Sequence, residues 1–376
     1  YICTNNLTHY MAVLKKMVVQ DFRNIALAEL EFSSNINCIS GGNGEGKTNL
    51  IDAIYYMSMT KSSSNASDRA CIRYGAESFS ISGLYSMKSA DSRFSFRVSG
   101  NGAKKLVRDE KPCQRMSDHI GLLPVVLVSP SDGALVSDSG EERRKFLNQV
   151  LSQMDSEYLA DVQQYNKLIS QRNAMLREES SDVSLMDIIE ESLEYHGHRI
   201  HQRRKSFAET LSPAVGHYYS ILSGAKEEVR VSYRSDLSSS SLRSLLEASR
   251  QKDRILGYTT SGIQRDDLIF LMDGHPIRRD GSQGQRKSFL IALKFAQYEL
   301  MKQESGVPPT LLLDDVFDKL DMDRTSNLLG MVAGSDFGQI FITDSNKVRL
   351  SGIVDGVTAD RAYYSASAGC FTMEEI

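Results

Sequence analysis

No apolar run in this chain is long enough to cross a membrane as a helix. The longest, Leu122 to Val128, falls far short of the ~20 residues such a span needs, so no membrane partner and a cytoplasmic location are expected. Cysteine is scarce and scattered: Cys3, Cys38, Cys71, Cys113 and Cys370 are odd in number and form no Cys-x-x-Cys pair. That spacing argues against a disulfide framework or a structural zinc site and for a reducing compartment. Charge of one sign is not in large excess either. A net charge of −4 leaves nucleic-acid binding to be decided by local patches. The first ten residues, Tyr1 to Tyr10, lack the apolar core of a signal peptide. Met11 stands just before a strand-like run, so residues 1–10 are set apart as an extension whose place in the native protein stays open.

What is present is ordinary for a soluble globular protein: 41% hydrophobic and 24% charged residues over 376 positions, enough apolar material for two or three domains with sizeable cores. The chain begins with strand-like alternation from Leu14 to Val19 and from Ala26 to Phe32, around Phe22-Arg23-Asn24. The short apolar run Ile36 to Ser40 leads into Gly41-Gly42-Asn43-Gly44-Glu45-Gly46-Lys47-Thr48-Asn49. Behind it, Leu50, Ile51, Ala53, Ile54 and Met57 recur at helical spacing. Residues 77–115 read as short strands with a turn at Gly100 to Gly102, and Pro124 to Val128 as an apolar strand. From about Glu141 to Arg254 proline is nearly absent and charge is dense and mixed. Apolar residues there fall three and four apart, as in a helical module without sustained heptads. From Gly257 strands and helices alternate again, Thr310 to Leu313 and Gln339 to Thr343 being the clearest strands.

Gly41-x4-Gly46-Lys47-Thr48 fits the phosphate-binding loop pattern. Its place between a strand and a helix is the one the chemistry requires. Glycines let successive N–H groups curl around phosphate oxygens, and the helix N-terminus adds partial positive charge. Lys47 is expected to reach the β- and γ-phosphates and Thr48 to bind Mg²⁺. The bland alternative is a glycine turn before a helix. Leu311-Leu312-Leu313-Asp314-Asp315 reads as a buried strand ending in two carboxylates, Asp314 for the metal and Asp315 to polarise the attacking water. Alone this pattern is weak, since apolar strands often end in acidic turns; the glycine loop gives it weight. Lys47 and Asp314 lie 267 positions apart. A nucleotide-binding domain carrying both must be split in sequence, with the helical module inserted between its halves. Ser282-Gln283-Gly284-Gln285 opens a helix that runs to Met301, and by itself reads as an ordinary N-cap.

Together these residues resemble the RecF family, bacterial recombination mediators among the ABC-type ATPases related to SMC proteins. The likeness runs from about Met11 to near the C-terminus, with the motifs in the family's order and Asp318-Lys319-Leu320-Asp321 after the strand carboxylates. It implies an α/β fold: a P-loop ABC-type ATPase head made from residues 11–140 and 257–376, with an inserted α-helical arm at 141–256. It implies ATP and Mg²⁺ as cofactors, bound by Gly41 to Asn49, with Thr48 and Asp314 on the metal and Asp315 and Lys47 as the catalytic pair. In such proteins ATP sits between two heads of a homodimer, so Ser282 and Gly284 of one subunit would meet the γ-phosphate on the other, and Asp321 would touch the partner. Asp344 falls near the usual switch position, without the familiar histidine. Arg23 and Asn24 would either touch the nucleotide or serve a β-turn. Ser131-Asp132 stands where the family carries a Pro-Glu-Asp-like motif, lacking its glutamate. Gly262-Ile263-Gln264-Arg265-Asp266-Asp267 matches a Gly-Pro-His-Arg-Asp-Asp segment, with the ion-pair potential kept at Arg265 and Asp266.

The implied function is a weak, DNA-stimulated ATPase that closes as a clamp on double-stranded DNA, gapped or at single/double-strand junctions. Its implied setting is recombinational repair, replication-fork maintenance and the SOS response, with RecR and RecO assisting RecA loading. The densest basic stretch, His196 to Lys205, is either a phosphate-binding surface or a solvated helix face. The same alternatives hold for Arg143-Arg144-Lys145, which is family-like basic surface or a plain helix start. Another SMC-like or overcoming-lysogenization-defect-type ATPase shares the head, but the short arm and the lack of a nuclease-like segment speak against both. A transporter ATPase would carry its two motifs much closer together, and a non-hydrolysing interaction protein would bind ATP without turnover.

Overall fold

The computed structural model describes residues 12–64, 66–88, 90–178, 183–224, 226–316, 337–356 and 358–374. They fall into two compact units, one of Tyr1–Asp132 with Gln297–Ile376 and one of Gly133–Ala296. No helix among the described residues is long and apolar enough to cross a membrane.

In the first unit, period-two alternation builds an antiparallel sheet. Its strands are β1 (Val13–Phe22), β2 (Ile25–Glu31), β4 (Ser78–Met87), β5 (Ala90–Ser99), β6 (Lys104–Arg108) and β7 (Lys111–Pro112), in the order β2-β1-β4-β5-β6-β7. Met17, Val19, Phe79, Ile81, Phe94, Phe96 and Leu106 form its buried face. The second sheet draws strands from both ends of the sequence. β3 (Ile36–Ser40), β8 (Val125–Val128), β12 (Thr310–Asp314), β13 (Ile340–Asp344), β14 (Arg361–Ser367) and β15 (Cys370–Glu374) lie in the order β15-β14-β3-β13-β12-β8. All pairings in it are parallel except β14 with β15. Every residue of β3 and β13 is buried, as expected for parallel strands covered on both faces.

Helix α1 (Lys47–Met59) packs against strands of both sheets, and eleven of its thirteen residues are buried. Tyr56 stands edge-on to Phe79 and Phe96, with centroids 5.4 and 5.6 Å away. This all-round burial explains why its sequence is apolar on more than one face.

The second unit contains α2 (Gly133–Ser137), α3 (Gly140–Met154), α4 (Ser156–Arg177), α5 (Val183–Ser223) and α6 (Leu242–Leu256), then α7 (Ile277–Asp280) and the start of α8 (Gln283–Ser305). It is not purely helical. β9 (Val229–Arg234) pairs antiparallel with β10 (Asp267–Met272), which pairs in turn with β11 (His275–Pro276). That pairing draws residues beyond 256 into this unit, which spans 133–296 where the sequence suggests a helical arm over 141–256. Val229 and Val231 are buried on alternate positions, the signature of a strand within a helical neighbourhood.

The fully buried Arg172 of α4 joins three segments. Its guanidinium reaches Glu190 of α5 (3.0 Å), Asp253 of α6 (2.7 Å) and the Thr259 hydroxyl (2.9 Å). Buried charge of this kind persists only when it is paired.

Candidate functional site

The glycine loop follows β3, where the strand ends between β13 and β14. Gly46 is the N-cap of α1 with φ 107°, a conformation that favours glycine. At Gly41 the constraint is space: a Cβ there would meet the Ala366 carbonyl oxygen at 2.5 Å. The turn after β14 also supports the loop, since the Gly369 N–H donates to the Glu45 carbonyl (2.9 Å) and the Ala368 N–H to the Glu45 carboxylate. Lys47 is buried, and its ammonium donates to the carbonyls of Gly41 (2.8 Å) and Gly42 (2.9 Å), curling back over the loop.

Arg23 and Asn24 form the two-residue turn between β1 and β2. Arg23 is committed to Asp52 of α1 (2.9 Å) and to Ser62 and Ser64. Asn24 donates to the Gly44 carbonyl (3.3 Å) and accepts from Asn49 (2.6 Å). The turn thus braces the glycine loop.

On the other side of the loop, the Thr48 hydroxyl donates to Asp314 Oδ1 at 3.1 Å, and Thr343 donates to the same oxygen at 2.7 Å. Burial is the main reason the Asp314 carboxyl is held above the usual carboxylate range; the Asp315 charge adds to it, while the two hydroxyls and Lys47 oppose it. Asp315 adopts φ 47°, left-handed backbone that costs a non-glycine residue ~1–3 kcal/mol and gathers at functional sites. Its N–H donates to Thr343 Oγ1 (3.0 Å). Thr343 therefore holds the Asp314 carboxylate and the backbone of Asp315, a role the sequence marks only by a hydroxyl at the end of an apolar strand. A hydroxyl and a carboxylate, all oxygen, suit Mg²⁺, which takes one or two protein carboxylates and relies on substrate phosphates and water for the rest. No larger cluster of His, Cys, Asp or Glu suited to a metal occurs among the described residues. Asp344 ends β13, buried beside Ser40 in register. Asp132 turns back to accept from the Ser129 N–H (2.8 Å) after β8. Asp318 to Asp321 lie outside the described residues.

Over residues 13–358 the sequence matches the family model described as the RecF/RecN/SMC N terminal domain. The DNA replication and repair protein RecF of Parabacteroides distasonis is 41% identical over 357 residues, 95% of this chain and 98% of that protein. The chain belongs to the RecF family. A solved structure of the recombination mediator protein RecF-ATP in the RecFOR pathway superposes with a TM-score of 0.89 at 28% identity, over 99% of this chain and all of that one. An Smc head domain from Pyrococcus furiosus shares the fold, with TM-score 0.58 at 15% identity over 97% of this chain and 96% of that one. The α/β ATPase-head architecture is common to them.

The remaining RecF-like motifs lie in the second unit. Ser282 is exposed and caps α8: its oxygen accepts from the Gln285 N–H (3.2 Å), leaving its own proton available to an anion. In the Gly262–Asp267 segment, Arg265 is exposed and Asp266 is buried against Arg204 (2.7 Å), not against Arg265. The short turn Ile263–Arg265 directs the two side chains apart. Asp267 pairs with Arg143 through both oxygens (2.7 and 3.1 Å), which makes Arg143 an internal residue. Much of the basic stretch 196–205 is likewise paired within the unit, although Lys205 is exposed. His196 and Arg199 meet Asp161, Arg199 also meets Glu157, and Arg203 meets Asp155.

A basic surface that the sequence reading passed over lies on the first unit. Residues 61–115 carry eleven Lys and Arg against five Asp and Glu. On the outer face of β5 and β6, Arg97 stands directly opposite Lys105. Both are exposed and neither has a carboxylate partner; Arg93 is exposed on the same face.

Proposed function

We propose that this chain is an ATP-dependent, double-stranded-DNA-binding protein of recombinational repair and replication-fork maintenance that works as a switchable homodimer. The observation that carries the nucleotide half of this reading is the convergence of Thr48, Asp314 and Thr343 beside the glycine loop. ATP would lie in the cradle of Gly41, Gly42, Asn43, Gly44, Glu45 and Gly46, with Asn49 fixing the loop through Asn24. Lys47 would exchange its carbonyl partners for the β- and γ-phosphates. Thr48 and Asp314 would hold Mg²⁺, which when bound neutralises phosphate charge. Asp315, half-buried at the strand end, would orient the attacking water.

Ser282 and Gly284 would complete the site from a second copy, presenting a hydroxyl and a helix N-terminus to the γ-phosphate. Hydrolysis would then be slow until two copies meet. The DNA half of the reading is supported by the unpaired cations Arg93, Arg97 and Lys105, which lie together on one sheet face and suit a phosphate backbone, whereas most cations of the 196–205 stretch are paired with carboxylates. RecR, with RecO and RecA, would be the protein partners at gapped or junction DNA.

Sedimentation of the purified chain with labelled duplex DNA, in ATP and in ADP, tests the proposal. A dimer that holds DNA in ATP alone is the expected result. A monomer indifferent to both nucleotide and DNA sinks it. The variant Asp315→Asn should bind ATP and dimerise, yet turn over roughly 100-fold or more slowly.

A further inference from the structure

The start of α8 is closed by a reciprocal pair. The Ser282 N–H donates to Gln285 Oε1 (2.7 Å), and the Gln285 N–H donates to Ser282 Oγ (3.2 Å). A glutamate at position 285 would close such a capping box equally well. Gln285 makes a further bond that a glutamate could not: its Nε2 donates to Glu227 Oε1 at 3.0 Å. Glu227 stands just ahead of β9, and its other oxygen accepts from the hydroxyl of Tyr219 in α5 (3.4 Å). Tyr219 is itself buried.

We propose that Glu227 is a positioning residue that, through Gln285, fixes the turn presenting Ser282 and Gly284 to the nucleotide's terminal phosphate. The inference rests on the reading of Ser282 and Gly284 given above. The amide of Gln285 has one orientation that satisfies both neighbours, its oxygen toward the Ser282 N–H and its nitrogen toward the Glu227 carboxylate. Ser282 is exposed and Gln285 only half-buried, so apart from the Arg286 bond to the Gly281 carbonyl (2.8 Å) little packing holds this turn. Without Glu227 the box would be closed only by Ser282 and Gln285, in competition with water. The chain Tyr219–Glu227–Gln285–Ser282 thereby links the long helix α5 to the hydroxyl that meets phosphate.

Four variants test this: Glu227→Ala, Glu227→Gln, Gln285→Glu, and the double variant Glu227→Gln with Gln285→Glu. Glu227→Gln retains an acceptor for Gln285. Gln285→Glu sets two carboxylates against each other, and the double variant restores a donor–acceptor pair with the direction reversed. Glu227→Ala and Gln285→Glu should lower kcat and ATP-dependent dimerisation by about tenfold or more, as misplacement of a transition-state donor does. The affinity of the dilute monomer for a fluorescent ATP analogue should not change. Glu227→Gln and the double variant should stay near the parent.

Parent-like turnover of Glu227→Ala overturns the proposal. So does a double variant no better than Gln285→Glu, or a fall in monomer nucleotide affinity and Tm that matches the fall in kcat. If the parent neither dimerises nor hydrolyses ATP, the underlying reading of Ser282 and Gly284 fails, and the role of Glu227 fails with it.

Discussion

Thr48 and Asp314 are 266 positions apart in the chain and joined by a hydrogen bond of 3.1 Å in the fold. Asp314 is buried, and its carboxyl is shifted above the ordinary 3.8, chiefly by loss of solvent. A carboxyl whose folded pKa is raised contributes stability below its unfolded pKa and loses it as pH rises through the folded value. At neutral pH the Asp314 charge is thus a cost that the folded protein bears, and bound Mg²⁺ would relieve it.

The variant Asp314→Asn should therefore melt at a higher temperature than the parent when both are free of nucleotide at neutral pH. Its amide oxygen can still accept from Thr48 and Thr343. Mg²⁺-dependent ATP hydrolysis should fall by about 100-fold or more. Calorimetry and a phosphate-release assay on the same preparation check both halves. A lower Tm together with preserved hydrolysis would contradict them.

Arg97 and Lys105 face each other across β5 and β6, and like charges directly opposite are destabilising in a sheet. Replacing both with alanine should leave Tm unchanged or raise it, while weakening duplex DNA binding at every sequence tested. The plot of log affinity against log salt should become shallower by about 2, each lost phosphate contact contributing ~0.9. Fluorescence anisotropy across a salt series provides the measurement. An unchanged slope would move the DNA surface elsewhere.

The glycine loop and the strand ending at Asp314-Asp315 were legible because their chemistry fixes residue type and spacing. The split of the head followed from the distance between them. Three features were not legible. Thr343 is one hydroxyl at a strand end, informative only once β13 is seen beside β12. β9 lies between helices, and its partner β10 comes more than thirty residues later. Much of the basic stretch 196–205 looked like free charge because the carboxylates that pair with its arginines and His196, such as Asp161 and Asp266, lie 35 to 62 positions away. Burial and pairing are tertiary facts, and a charge count along the chain does not contain them.

Arg172 and Arg199 offer a contrast in what a charge is worth. Arg172 is fully buried between Glu190 and Asp253, whereas Arg199 bonds Glu157 and Asp161 at a side chain 38% exposed. Arg172→Met should destabilise the second unit by about 3–5 kcal/mol, since the buried Asp253 loses its cation while Glu190 keeps only Arg250. Arg199→Ala should shift the unfolding midpoint far less, as solvent screens an exposed pair. Urea unfolding curves, read for both midpoint and slope, separate the two.

His119 is buried between Phe94 and Phe96, with ring centroids 5.3 and 5.5 Å away, and its Nε2 bonds the Met57 carbonyl of α1. Burial holds its pKa below 6.5; the Met57 bond opposes that shift and the Arg108 charge adds to it. A depressed folded pKa means that the associated stability is fully present above the unfolded value of 6.5 and is lost as pH falls through the folded one. The parent should therefore lose stability on acidification below about pH 6.5, before most carboxylates titrate. His119→Phe, which keeps an aromatic ring between the other two, should be less stable near neutral pH for want of the Met57 bond. Its stability should fall less between about pH 6.5 and pH 5, and the gap to the parent should narrow over that window. Thermal unfolding of both proteins at matched pH tests the sign directly: a gap that stays constant or widens would mean that His119 does not titrate as a buried neutral imidazole.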